Sequence, residues 1–454
     1  MLFSRKDLAK IIIPLIIQGI LSITISMIDS IMVSSEGEAA FAGVSLIGTL
    51  DTLIVTLFSA LTAGGAVVLA QAMGQKDRDR ACEGAKQLTY STAIISLAIT
   101  LGIIAFRMPL LNVLFGDSEQ SVMTNAITYF SILALSYPFL ALENSVFAIF
   151  RAQGDSMISL KISLFENLLN MGGNALLIYW AGMGAAGAAL ASLISRFVGV
   201  LIAMWIAQDS RRYIYIKNLF RFRPDFSIIR AILRIGIPNG IENSMFQFGR
   251  LMTSSLVSSL PTAAIAANSA ALSLAGLQYA VSGAVQSAMI TTVGQCVGAK
   301  EKKQAKHYAV SLTGVGYGVI FGTDVLLCLL SSPLLGLYNL SVEAFGLARN
   351  ALFYHCAVSV FIYPLAFFLP VAFRAASDVK YTMFVSIFSM WIFRVALAYF
   401  LTKDSVSIAR LFTLPGFGLG LMGVWYAMTA DWAFRSVLFL WRFLSGKWLT
   451  KYRE

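Results

Sequence analysis

Apolar positions along this chain run on rather than alternate with polar ones. Residues 9–33, 44–70, 88–114 and 379–401 each hold only one or two ionisable side chains. Each is long enough, at 1.5 Å per helical residue, to cross a bilayer core of about 30 Å. Further runs lie at 124–150, 158–182, 186–207, 231–258, 263–293, 308–336, 343–373 and 416–444, which makes twelve predicted spans. A backbone crossing lipid must satisfy its own hydrogen bonds, so runs of this length predict helices and an all-α integral membrane fold.

The polar breaks between runs repeat themselves. QAMGQKDRDRA (71–81) returns as QCVGAKEKKQA (295–305), an interval of 224 residues. At that interval residues 13–81 give 18 identities with the later copy, among them Pro14 with Pro238, Ala42 with Ala266, Gln71 with Gln295, Gly74 with Gly298 and Lys76 with Lys300. FRAQGD (150–155) and FRAASD (373–378) match at an interval of 223. Six spans separate the copies, so the halves point the same way: two parallel-repeat six-helix bundles with a central cleft, a layout used for alternating access. The expected division is an N-terminal lobe at 1–208, a basic cytoplasmic linker at 209–229 and a C-terminal lobe at 230–454.

Composition agrees: 58% of the 454 residues are hydrophobic and 13% charged, with a mean hydropathy of +0.76, outside the balance of soluble domains. The net charge of +11 falls in alternate loops. Arg5, Lys6 and Lys10 precede the first span. Lys76, Arg78, Arg80 and Lys86 follow the second, Arg151 and Lys161 the fourth, and Arg211, Arg212, Lys217, Arg221, Arg223, Arg230 and Arg234 the sixth. Lys300, Lys302, Lys303 and Lys306 follow the eighth span, Arg374 and Lys380 the tenth, and Arg442, Lys447, Lys451 and Arg453 end the chain. The intervening loops SSEGEAA, FGDSEQS, AGMGAA, SLPTAA and LYNLSVEA carry no Lys or Arg, and only Lys403 and Arg410 break the pattern. Basic residues stay cytoplasmic, so both termini are expected inside the plasma membrane, and the positive charge meets anionic lipid rather than nucleic acid. The first apolar run is too long for a signal peptide, lacks a small-residue cleavage site and opens the first repeat, so it reads as an uncleaved helix.

Absences narrow the chemistry. No GxxxxGK[ST] loop is present, which leaves an ion gradient, H⁺ or Na⁺, as the power source. GMGAAG (182–187) and GLGLMG (418–423) match a dinucleotide fingerprint, but each lies between apolar helices at corresponding points of the halves, where small residues serve close packing. The spacing of Cys82, Cys296, Cys328, Cys356, His307 and His355 suggests neither a metal site nor a disulfide, and nothing points to a cofactor or an obligate protein partner. A membrane enzyme such as a prenyl transferase would need a DDxxD-like run, which is missing, so no catalytic residue is assigned.

What remains are ionisable residues inside spans, where a charge costs about 2–3 kcal/mol or more and usually faces a cavity or a partner. Asp29, in SMIDSIMV, is the clearest, since a carboxylate there can hold a proton or a small cation. In LFENLLNMGGN, Glu166, Asn170 and Asn174 fall four apart and stripe one helix face; with Ser192 of the next span their oxygens either take part in an ion or proton site or hydrogen-bond between helices. Asp51 and Glu143 are further acidic candidates in the first half. Glu242 and Arg250 stand in the second copy where Gln18 and Ser26 stand in the first, so the halves share a scaffold but not their charges. Asp431 and Arg435, four apart, suggest a local ion pair. Arg196 and Arg394 are placed to position carboxylates, and Asp324 and His355 have no assigned role. Pro14, Pro138, Pro238 and Pro364 free carbonyls inside helices as hinges or static kinks.

With these residues in place, the chain resembles the MATE family, the multidrug and toxin extrusion transporters, over nearly its whole length. The resemblance rests on Pro14 with IDSIMVS, the AQAMGQKD and GQCVGAKE loops, FRAQGD and FRAASD, and GMGAAGAALAS. It implies an antiporter that expels organic cations or other small-molecule drugs in exchange for H⁺ or Na⁺. By similarity Asp29 matches the aspartate of the family's N-lobe cation site, and Asn170, Ala188 through its carbonyl, and Ser192 match other positions there. The sequence departs at Asn174, where aspartate is common, and at Ser192, where threonine is usual; one fewer negative charge favours protonation of Asp29 over tight Na⁺ binding. The C-lobe acid of some branches is replaced by Glu242 near the helix's inner end. A flippase for a lipid-linked precursor is the alternative on the same scaffold and would favour a basic cavity.

Overall fold

A computed structural model describes residues 2–115, 119–216, 219, 221, 223–408 and 412–450, without the side chains of 26, 27, 406–408 and 412–414. Lys217, Arg410, Lys451 and Arg453, residues 116–118 of the FGDSEQS loop and the side chain of Ser26 lie outside the described residues.

The first half contains α1 (Arg5–Ser34), α2 (Glu38–Gly74), α3 (Arg78–Phe115), the pair α4 (Gln120–Ala134) and α5 (Tyr137–Ala152), α6 (Ser156–Asn174) running into a π-helical segment at Ala175–Trp180, and α7 (Gly184–Ala207). The second contains α8 (Phe226–Val257), α9 (Thr262–Gly298), α10 (Lys302–Gly336), α11 (Val342–Phe367) running into α12 (Leu369–Ala375), α13 (Val379–Ser389) joined through a π-helical segment at Met390–Ala396 to α14 (Leu397–Thr402), and α15 (Leu421–Leu444). A small hairpin, β1 (Ser405–Ile408) and β2 (Phe412–Pro415), pairs antiparallel with Ser405 opposite Pro415. Counting joined segments once, the described residues form twelve transmembrane rods in two repeats of six. Eight are long and apolar enough by themselves to cross a bilayer, nine with the α4–α5 pair. The others, α6, α8 and α15, carry residues such as Glu166, Glu242 and Asp431, so their polarity reflects the interior they line rather than a shorter path. Large apolar side chains face outward, including Val113, Trp205 and Leu329 at 84%, 78% and 74% exposure. A surface of that kind suits lipid.

One expectation is corrected. The run at 124–150 is not one straight helix: α4 and α5 meet at a 47° bend. Pro138 has no N–H to give the carbonyl of Ala134, so the helix opens there. The turn closes through shorter bonds, Leu135 N to Ile132 O at 3.1 Å and Ser136 N to Leu133 O at 2.9 Å, and the Ser136 hydroxyl also donates to Leu133 O at 2.7 Å.

The repeated polar stretches are one device used four times. After α2, α5, α9 and α12 a three-residue turn leads into the next helix, and its middle residue is left-handed: Lys76 at φ 60°, Gly154 at 80°, Lys300 at 61° and Ser377 at 65°. The acid that follows donates its backbone N–H five residues back each time: Asp77 to Ala72, Asp155 to Phe150, Glu301 to Cys296 and Asp378 to Phe373, at 2.8–3.2 Å. This closes the preceding helix in the Schellman manner and sets an acid at the positive start of the next. The paired glycine motifs are packing devices: a Cβ on Gly187 would lie 3.0 Å from the backbone of Leu177, and one on Gly423 2.7 Å from that of Leu401.

By its internal contacts the chain separates into residues 1–240 with 298–300, and 241–297 with 301–454. In the first unit Ile47, Phe58, Leu111, Phe130 and Tyr137 form a buried core between α2, α3, α4 and α5. The segment after α7 lies against α3: Arg78 donates to the carbonyls of Ser210, Arg212 and Tyr213 at 3.0 Å, and Tyr90 to those of Leu219 and Arg221 at 2.6 and 3.0 Å.

Candidate functional site

In the first unit α6 packs against both α1 and α7, which brings Asp29 opposite the Asn170–Asn174 face. Asn174 is the last residue before the π-helical segment, a widened turn often found at functional sites. Its amide donates to Asp29 Oδ1 at 2.8 Å, while its own Oδ1 is buried without a hydrogen-bond partner. With the Asn170 amide turned to satisfy both ends, its nitrogen lies 3.1 and 3.2 Å from the Asp29 oxygens, and its oxygen accepts from Ser192 N and Oγ at 3.2 Å. Ser192 Oγ also lies 3.1 Å from the Ala188 carbonyl, to which it can donate instead. Asp29, Asn170, Asn174, Ala188 and Ser192 thus form one connected polar patch within an apolar bundle. Amide donors steady the carboxylate, and its oxygens and the Asn174 oxygen are the acceptors a proton or a hard cation requires.

Glu166 leaves the expected stripe. It lies about 6 Å along the helix axis from Asn170, and its carboxyl meets that of Glu143 over Gly199, where a Cβ would be 3.1 Å from Glu143 Oε1 and 3.4 Å from Glu166 Oε2. Arg196 interacts by charge with Asp51 and Glu166, and donates to Ser136 Oγ at 2.7 Å, so it pins the α4–α5 bend. Asp51 Oδ1 is buried without a hydrogen-bond partner. The first unit therefore holds two acidic groups, one at Asp29 and one around Arg196.

The second unit is built differently. Glu242 is not a free acid, since Arg374 Nη1 sits 3.4 Å from its carboxylate. Arg250 is exposed. The expected Asp431–Arg435 pair forms, with Nε 2.8 Å from Oδ1, and Ser389 Oγ donates to the same oxygen at 2.5 Å. Arg394, inside the π-helical segment, places Nη1 3.8 Å from Asp431 Oδ2, beyond hydrogen-bond reach. The Arg394 and Arg435 guanidiniums lie 5.2 and 5.6 Å from the Phe246 ring centroid. Asp324 accepts from Ser359 Oγ at 2.5 Å, and His355 pairs with Gln278 at 2.5 Å beside Trp425 and Trp432. Sequence reasoning missed this arginine–aromatic arrangement; its signals were the four-residue spacing of Asp431 and Arg435 and the presence of Arg394 inside a span.

Set against known proteins, a family model described as MatE matches residues 14–176 and again 238–400. The two matches begin 224 residues apart, the interval of the internal repeat. An uncharacterized transporter, YisQ, of Bacillus subtilis is 24% identical over 447 residues, covering 96% of this chain and 94% of its own. A probable multidrug resistance protein, NorM, of Thermotoga maritima is 25% identical over 456 residues, covering 98% and 93%. Among solved structures, an outward-facing multidrug resistance MATE transporter of the MOP superfamily superposes with a TM-score of 0.85 at 21% identity, covering 98% and 97%. A MATE crystal structure in a bent conformation gives 0.87 at 20%, covering 98% and 96%.

Proposed function

The chain belongs to the MatE family of multi-pass membrane transporters and is not an enzyme, and from that premise we propose an antiporter that exports amphipathic, cationic organic compounds in exchange for H⁺ or Na⁺. The observation that carries this reading is the Asp29 patch: one carboxylate inside a spanning helix, held by two amides and adjoining an unpartnered amide oxygen. A group of that kind binds a cation or a proton and cannot do so unchanged while a cationic cargo competes for it. Reciprocal competition is the thermodynamic content of exchange. Because Asn174 leaves the patch one charge short of two carboxylates, a proton on Asp29 is the simpler coupling ion.

In the cycle we envisage, the lobes at 1–208 and 230–454 open inward, cargo enters and displaces the ion, the lobes rock outward, cargo leaves, and H⁺ or Na⁺ returns to Asp29. Both termini and the basic 209–229 linker are cytoplasmic, and the protein sits in the plasma membrane. The relatives described as multidrug resistance proteins support the cargo class. The arginines of the second unit are the one feature that favours the alternative of a lipid-linked precursor flippase.

The test is uptake of a fluorescent organic cation into everted vesicles under an imposed pH or Na⁺ gradient, with Asp29→Asn alongside. Uptake driven by one gradient and lost in the variant supports the reading and names the ion. Undiminished uptake in the variant moves coupling to Asp51, Glu143 or Glu166, and no uptake by the natural chain under either gradient removes the drug-antiporter reading.

A further inference from the structure

We propose that a hollow in the first unit, between the start of α6 and the end of α7, binds the headgroup of an anionic phospholipid. The hollow measures about 830 Å³ and is lined by Ile158, Lys161 and Ile162 of α6, by Trp205 and Ile206 of α7 and by Arg211 just beyond it, among others. That lies within the roughly 300–1,000 Å³ of small-molecule sites. Trp205 is exposed on the last turn of α7, the level at which indole rings sit between acyl chains and headgroups. Leu201 and Phe197, four and eight residues earlier, are exposed on the same face of α7, and Phe165 and Leu168 stand exposed four and seven residues beyond Lys161 on α6. Cations at one end with apolar side chains running away from them suit a headgroup and its acyl chains; a free phosphate would use the cations alone.

The charges leave a place for one anion. Arg212, also in the lining, is committed to Asp155, with Nη1 3.2 Å from Oδ2, and lies over the Phe150 ring. Lys161 and Arg211 are exposed, and among the described residues neither forms an ion pair. The carboxylate in the lining, Asp209, is turned to its own loop, where Oδ1 accepts from Arg211 N at 3.0 Å. Setting Asp155 and Asp209 against Lys161, Arg211 and Arg212 leaves one positive charge, which one phosphodiester neutralises. The loop is already ordered: Arg212 N donates to Asp209 O at 3.1 Å, Arg78 holds the carbonyls of Ser210 and Arg212, and Gln153 bonds both backbone groups of Ile214 at 3.0 and 3.1 Å. Arg211 is therefore presented by a fixed turn, and little backbone freedom is lost on binding. Arginine's planar fork matches phosphate, and basic pockets between spanning helices at the cytoplasmic side take anionic headgroups.

This site is independent of the Asp29 patch and of the antiporter reading. It rests on the proposed orientation only for the leaflet, the cytoplasmic one. Lipid preference is measured at equilibrium without any gradient, so failure of one reading is distinguishable from failure of the other.

The experiment is tryptophan fluorescence quenching of the full chain in nanodiscs of mixed phosphatidylcholine and phosphatidylglycerol, with bromine carried on the acyl chains of one lipid or the other. Subtracting the signal of Trp205→Phe isolates Trp205 among the seven tryptophans. The expected result is a preference for phosphatidylglycerol at Trp205 of at least about fivefold, reduced about fivefold in either Lys161→Gln or Arg211→Gln, the share of one cation at an anionic surface. Lys303→Gln, an exposed cation of the second unit, is expected to leave it unchanged. Asp209→Asn keeps an acceptor for Arg211 N but removes the opposing charge, and is expected to raise the preference several-fold, a gain that a misfolded variant cannot give. Equal quenching by the two lipids, no loss in the Lys161 and Arg211 variants, an equal loss in Lys303→Gln, or a weaker preference in Asp209→Asn overturns the proposal. Excess glycerol phosphate is expected to leave the preference in place; if it abolishes it, the bound anion is a free phosphate ester and the lipid assignment is overturned.

Discussion

At position 174 the chain places an amide, one hydrogen bond from Asp29, where the resemblance to MATE transporters implies a second carboxylate. Asn174→Asp therefore sets two carboxylates side by side in a site of low polarity. Without Na⁺ their repulsion is expected to lower the melting temperature of purified protein; with Na⁺ the added charge is expected to restore it, and the natural chain to respond at least about tenfold more weakly in Na⁺ concentration. Equal Na⁺ dependence in the two proteins would mean that residue 174 does not contribute to a cation site. The Asp29 patch was largely legible in the sequence because Asn170 and Asn174 are one helical turn apart and the intervening glycines and apolar residues leave them as the polar face. The fate of Glu166 was not legible: the same spacing places it on that face, but its carboxyl lies beside Glu143 at Gly199, a residue 33 positions further along on another helix. Arg394 and Asp431 are 37 residues apart, and no periodicity links residues on different helices.

Among the elements, the α4–α5 bend is held by one hydroxyl serving two partners, Leu133 O and Arg196 Nη1. Ser136→Ala leaves a buried guanidinium short of an acceptor, and is expected to cost about 1.5–3 kcal/mol. Ser131→Ala, which loses only a bond to the carbonyl of Ile127, should cost less than about 1 kcal/mol; thermal unfolding of the two variants compares them directly. Glycine gives a second contrast. Gly423→Ala would push a methyl to 2.7 Å from the backbone of Leu401 and is expected to destabilise by about 1–3 kcal/mol. Gly102→Ala, with nothing within 4 Å of its new carbon, should be neutral or stabilise by up to about 1 kcal/mol. Pro138 announced a disturbance in the fourth span, but the break falls at 135–136 because proline withholds its bond from a carbonyl four residues earlier. The π-helical segments were invisible in the sequence, since one extra residue in a turn changes neither composition nor hydropathy.

For the molecule as a whole, the internal repeat made the architecture legible: the same interval of 224 residues separates the polar stretches and the two family matches. Glu242 and Arg250 standing where Gln18 and Ser26 stand already showed that the halves differ in charge; what the repeat could not convey is where those charges gather, acidic around Asp29 and Arg196 in the first and arginine-rich around Phe246 in the second. The proposed orientation has a direct check. In a cysteine-free background, Ser35→Cys is expected to react with a membrane-impermeant maleimide on intact cells, and Lys76→Cys only after permeabilisation; the opposite pattern would invert the topology.

The four left-handed turns have a practical meaning for rebuilding such a chain. Residues 76, 154, 300 and 377 each sit midway between one helix and the next, under the same pattern of backbone bonds. They are natural seams: a crossover placed there exchanges whole helices without slipping the face of any, so chimaeras of the two halves, or of this chain with distant relatives, can test which helices carry ion choice and which carry cargo choice. β-Branched residues, which resist that backbone conformation, should be barred from those four codons in any such library.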